Sequence, residues 1–112
     1  MSTREFSNKQ EKAVARLLEG QVNPNSGAGK WRKGDVRIPE ASMLIECKTC
    51  MQDKTSFSVK QEWIEKNKDE AFSCGLCNSA IAFNFGPDKP NYFVINERLM
   101  QFLVDNLKEN GY

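Results

Sequence analysis

The chain has 112 residues and a net charge of +1, a size that supports one domain over residues 1–112 with a single core. It contains no histidine, which excludes Ser-His-Asp and Cys-His catalysis, histidine-dependent nucleases and every zinc site that needs imidazole. No apolar run approaches the roughly 20 residues that cross a membrane, and no hydrophobic signal region follows Met1-Ser2-Thr3-Arg4-Glu5, so a cytoplasmic protein without membrane contact is expected.

Ser7-Asn8-Lys9-Gln10 has the form of a capping box and predicts a helix start. The helix carries Ala13, Val14, Leu17 and Leu18 inward, and Gly20 stops it. Glu11 lies on that apolar stripe and points toward the rest of the fold. A carboxylate is costly there unless a cation or hydrogen bonds receive it, which makes Glu11 a candidate functional residue. Val22 sits in a short strand. The turn-rich Asn23-Pro24-Asn25-Ser26-Gly27-Ala28-Gly29 follows, and its exposed amides can approach a phosphate. It is no Walker loop, because Gly29-Lys30 runs into Trp31.

Charge is unevenly spread. Residues 1–38 hold eight Lys/Arg against four Asp/Glu, whereas residues 39–112 hold eight against eleven. The basic excess peaks over Lys30-Trp31-Arg32-Lys33-Gly34-Asp35-Val36-Arg37, a pattern that suits a polyanion.

Residues 36–38 and 43–48 read as two strands paired through Pro39-Glu40-Ala41-Ser42. Residues two apart in a strand share a face, so Glu46 and Lys48 project together while Ile45 and Cys47 project to the other side. The pairing brings Asp35 to the same place. Two carboxylates and a lysine on one sheet surface can hold a divalent cation and orient an attacking water, which points to phosphodiester hydrolysis. The plainer alternative is the wet face of an amphipathic hairpin.

The remainder predicts a polar stretch to Ser58 and a second capping box, Ser58-x-x-Gln61. A helix over 59–72 follows, with Trp63, Ile64, Asn67, Ala71 and Phe72 inward. Residues 79–85 read as a strand covered on both faces, and Tyr92-Phe93-Val94-Ile95 as a further strand. Asn96 caps a last helix with Leu99, Met100, Leu103 and Leu107 inward, ended by Asn110-Gly111. The expected order is α-β-β-β-α-β-β-α, an α/β fold with one mixed sheet flanked by helices.

Cys47-x-x-Cys50 and Cys74-x-x-Cys77 have a spacing that suits structural zinc. The helix between them opposes that reading. It carries the chain about 20 Å back along the sheet, at ~1.5 Å per residue, whereas a tetrahedral site needs four sulfurs within about 4 Å. Zinc at Cys47, Cys50, Cys74 and Cys77 is therefore disfavoured, and disulfides do not suit a reducing compartment.

Glu11, Ser26-Gly27-Ala28, Lys33-Gly34-Asp35-Val36, Ile45-Glu46-Cys47-Lys48 and Ser56-Phe57-Ser58 occur in one order over most of the chain. In that order they resemble the PD-(D/E)XK nuclease superfamily, and within it the archaeal and phage-type Holliday junction resolvases. Trp63-Ile64-Glu65-Lys66 and Ala82-Phe83-Asn84-Phe85 extend the phage-type likeness. The chain departs from the pattern in its cysteines and in having Gly34 where proline commonly precedes the aspartate.

The resemblance implies a restriction-endonuclease-like core and a homodimer, because a four-way junction presents two equivalent strands to be cut. It implies Mg2+ or Mn2+ on Asp35, Glu46 and the backbone carbonyl of Cys47, with Glu11 completing the site and Lys48 stabilising the transition state. It implies Ser26 near the scissile phosphate and Lys30, Arg32, Lys33 and Lys60 on flanking DNA backbone. No organic cofactor is expected, and a phage origin would place the protein in the host cytoplasm. The competing function is a four-cysteine, zinc-stabilised nucleic-acid-binding module without catalysis. A nuclease of the same fold acting on other branched or nicked DNA is the narrower alternative.

Overall fold

Polar and apolar residues alternate through Asp35-Val36-Arg37-Ile38 and again through Glu46-Cys47-Lys48, and these segments form the middle of a five-stranded sheet. The computed structural model describes residues 3–22 and 35–111. Its elements are α1 (Thr3–Leu18), β1 (Gln21–Val22), β2 (Asp35–Ile38), a 3-10 turn (Pro39–Ala41), β3 (Met43–Lys48), α2 (Gln61–Ser73), β4 (Asn78–Phe83), β5 (Tyr92–Val94) and α3 (Glu97–Asn110). This is the α-β-β-β-α-β-β-α order read from the sequence.

The strands lie in chain order, β1-β2-β3-β4-β5. All neighbours are antiparallel except β3 and β4, which are parallel. A parallel pair needs a long crossover, and α2 supplies it. On one face of the sheet, Val14 and Ala15 of α1 pack on Val36, Ile38, Ile45, Ala80 and Ala82. On the other face, Leu44 packs with Ala71 of α2 and with Leu76. Gly20 lets the chain turn from α1 against β2, since a Cβ there would stand 2.9 Å from the Arg37 carbonyl oxygen. Among the described residues, no helix is long and apolar enough to cross a membrane.

Several local expectations need correction. The first helix begins at Thr3, so Ser7 lies inside it and caps nothing. Glu5 in the first turn favours that earlier start by meeting the positive end of the helix dipole. Its inward stripe is Gln10, Glu11, Val14, Ala15 and Leu18, whereas Ala13 and Leu17 are exposed. The second helix is capped at Lys60, without a side-chain bond, and not at Ser58. Just before it, Phe57 stacks on Phe83 at 4.6 Å, and the chain from Ser58 to Lys60 is not helical.

Trp63, Asn67 and Ala71, spaced by four, form the face that α2 lays down. Ile64 and Phe72 sit one step around the helix and are exposed. Asn67 donates from Nδ2 to the Ala80 carbonyl at 3.0 Å and the Leu44 carbonyl at 3.4 Å. Asn96 does cap α3, accepting from the Leu99 amide at 2.8 Å. The expected inward side of α3 is not inward: no residue of this helix is buried, and Met100, Leu103 and Leu107 are exposed.

Candidate active site

Asp35 opens β2 and is the Cα partner of Glu46 in β3. Directly opposed residues of an antiparallel pair share a face, with Cβ atoms about 4.5–5.5 Å apart. Their side chains therefore stand together on the α2 side of the sheet, where Arg37 and Leu44 also point. Asp35 is 0% exposed and Glu46 3%. Two carboxylates held this close and this dry repel each other, so the site favours cations.

Lys48, two residues beyond Glu46, supplies one. Its Nζ lies 3.0 Å from Glu46 Oε2. The same ammonium sits 4.1 Å from the centroid of the Trp63 ring, a cation–π contact from the first turn of α2. Lys48 is thus fixed between a carboxylate and an indole face, with its side chain 27% exposed. The carboxylates themselves are sealed, so Lys48 is the part of this cluster that reaches solvent.

Glu11 reaches the same end of the sheet from α1 and is buried. Its approach is registered at Cys47, whose thiol is pushed up by burial first, then by the negative charge of Glu11 and then by that of Asp35. The neighbouring Gln10 does the positioning. Its Nε2 donates to the Lys48 carbonyl at 3.0 Å, to Asn91 Oδ1 at 3.1 Å and to the Ala82 carbonyl at 3.4 Å. Its Oε1 accepts from the Thr49 hydroxyl at 2.6 Å. Gln10 so fastens α1 to the C-terminal ends of β3 and β4, the end of the sheet where Glu46 and Lys48 lie. The sequence reading assigned Gln10 to a cap and missed this role. Its place on the apolar stripe beside Glu11, one turn before Val14, was the available signal.

Among the described residues, no group of three or more His, Cys, Asp or Glu side chains is gathered to hold a metal ion. Asp35 and Glu46 are the opposed pair, and Glu11 joins them through its field at Cys47. The donors of this pair are all oxygen, which suits a hard cation of the magnesium type. Such a cation commonly takes only one or two protein carboxylates and fills its remaining positions with water and substrate phosphate.

The cysteines are dispersed. Cys50 follows the C-terminal end of β3, while Cys74 and Cys77 precede the N-terminal end of β4. In a parallel pair these are opposite ends, and all four thiols are free. Of the remaining candidates, Lys60 is exposed beside the site, its Nζ 5.7 Å from the Trp63 centroid. Ser26, Lys30, Arg32 and Lys33 lie outside the described residues. No family model, curated protein or solved structure matches the chain.

Proposed function

We infer that this chain is a metal-dependent DNA endonuclease of the PD-(D/E)XK type, with a restriction-endonuclease-like core, that resolves four-way junctions as a homodimer. The observation that carries this reading is the Asp35–Glu46 register, with the Lys48 ammonium 3.0 Å from Glu46. The ordered motif set from Glu11 to Ser58 supports it independently. Mg2+ or Mn2+ would be held by Asp35, Glu46 and the Cys47 carbonyl, with Glu11 adding negative charge from the α1 side. When bound, such an ion lowers the pKa of water and offsets charge growing on the phosphate.

The reaction is hydrolysis of a phosphodiester. A water oxygen bonds to phosphorus, the bond to one ester oxygen breaks, and the leaving oxygen ends with a proton. Lys48 places a fixed positive charge where negative charge develops on the non-bridging oxygens. Trp63 restrains the Lys48 side chain, and Gln10 holds the backbone from which it projects. Lys30, Arg32, Lys33 and Lys60 would neutralise flanking phosphates, a sequence-independent contribution that weakens with salt.

The Asp35→Asn variant tests the assignment. It removes one carboxylate charge from a site that faces phosphate while keeping the side-chain shape. Junction cleavage in Mg2+ falls at least a hundredfold, and junction binding in EDTA is kept or strengthened. Cleavage at the wild-type rate would rule out Asp35 as part of the site.

A further inference from the structure

The strand register sets Lys48, Phe83 and Tyr92 in one row across β3, β4 and β5. Opposed residues share a face, so this row runs from the candidate site toward the edge of the sheet. At ~4.8 Å per strand, Tyr92 stands about 10 Å from Lys48 across the sheet. Aromatic rings occupy the whole path. Trp63, against Lys48, lies 6.1 Å from Phe57, and Phe57 stacks on Phe83 at 4.6 Å with 15° between the rings. Phe83 is 5.9 Å from Tyr92, and Phe85 meets Tyr92 edge-on at 5.7 Å. None of these five rings is buried, and Tyr92 is 53% exposed.

Beyond the row lies a cavity of about 390 Å³ lined by Lys54, Thr55, Phe85, Lys89, Pro90 and Tyr92. A second hollow, of about 460 Å³, shares Lys54, Thr55 and Lys89 with it and adds Asp53 and Ser56. The floor is firm, since the Lys54 amide donates to the Phe85 carbonyl at 2.8 Å. The charged residues lining the first cavity are Lys54 and Lys89; Lys89 also makes a loose pair with Asp53 at 3.9 Å. An exposed aromatic ring and two lysines lining one hollow suit a ligand that is both planar and anionic. A purely apolar partner would gain nothing from the lysines.

We propose that this cavity is a subsite for an unpaired nucleotide of the DNA strand, its base stacked on Tyr92 and its phosphate near Lys54 and Lys89. The subsite rests on the nuclease reading, because it takes its meaning from lying one or two nucleotides from the candidate catalytic lysine. Stacking on aromatic side chains is insensitive to base identity and requires the base to leave its duplex. A subsite of this kind favours DNA with unpaired or splayed bases over continuous duplex.

The test is fluorescence anisotropy in EDTA with labelled oligothymidine, the same strand lacking its bases, and a duplex of equal length. Wild-type protein binds the abasic strand about tenfold more weakly than oligothymidine. Tyr92→Ala weakens oligothymidine binding to a similar degree and leaves duplex binding unchanged, while Tyr92→Phe binds like wild type. Equal affinity of wild-type protein for the abasic and base-bearing strands would overturn the proposal without any variant. So would a Tyr92→Ala variant that weakens single strand and duplex alike. Junction cleavage in Mg2+, assayed in parallel, separates this proposal from the nuclease reading. Cutting without base dependence sinks the subsite alone, whereas base-dependent binding without cutting upholds the subsite and removes the nuclease.

Discussion

At the scale of single residues, the site is governed by what buried polar groups require. Gln10 donates to the carbonyls of Lys48 and Ala82 and accepts from the Thr49 hydroxyl, so its loss removes polar contacts in a buried and part-buried setting. Unsatisfied buried polar groups cost about 1–3 kcal/mol each. Of these contacts only the one to the Ala82 carbonyl is fully buried, so Gln10→Leu shifts the urea midpoint to lower concentration with an unchanged slope, a loss of about 1–3 kcal/mol. An unshifted midpoint would show that water replaces the amide without loss. Asp35, Glu46 and Lys48 were legible in the sequence because strand alternation and one short turn place them together over few residues. Gln10 was not, since its partners lie 38 to 81 residues away and its local pattern imitates a cap.

At the scale of elements, existence and order were legible while faces and ends were not. The helices and strands follow local periodicity, but their rotation is set by what they meet. In α2, the four-residue spacing of Trp63, Asn67 and Ala71 wins because Asn67 bonds to strand carbonyls and Trp63 meets Lys48. Phe72 is left 82% exposed as a result. The start of α2 after Lys60, without a side-chain cap, follows a long-range ring contact, Phe57 on Phe83, that no capping pattern contains. The turn from α1 into β1 has a different constraint. A Cβ on Gly20 would lie 2.9 Å from both the Arg37 carbonyl oxygen and Ile38 Cγ1. The carbonyl belongs to a paired strand and cannot swing aside, so Gly20→Ala forces α1 away from β2. Overpacking of this kind costs about 1–3 kcal/mol. A fall in melting temperature of several degrees is expected for this domain size, and an unchanged melt would mean the α1–β2 contact is loose.

At the scale of the whole molecule, the candidate site residues concentrate at one end of the sheet. The C-terminal ends of parallel β3 and β4 carry Lys48 and Phe83, antiparallel β2 brings Asp35 to the same level, and α1 brings Glu11. Parallel strands with a helical crossover commonly place their ligand sites at this end. The proposed pairing of two copies predicts sedimentation at twice the 12.8 kDa mass of the chain. A single species at the chain mass throughout the concentration range used for cleavage would remove the two-fold arrangement.

Cleavage of a synthetic four-way junction in Mg2+, beside linear duplex and flap DNA and with Glu46→Gln as control, decides whether Asp35, Glu46 and Lys48 form a nuclease centre. Paired symmetric nicks in the junction alone are expected, lost in Glu46→Gln. Cutting of all three DNAs would keep the hydrolytic site and discard the junction preference. Absence of cutting in both Mg2+ and Mn2+ would contradict the assignment of Asp35, Glu46 and Lys48 as a nuclease centre.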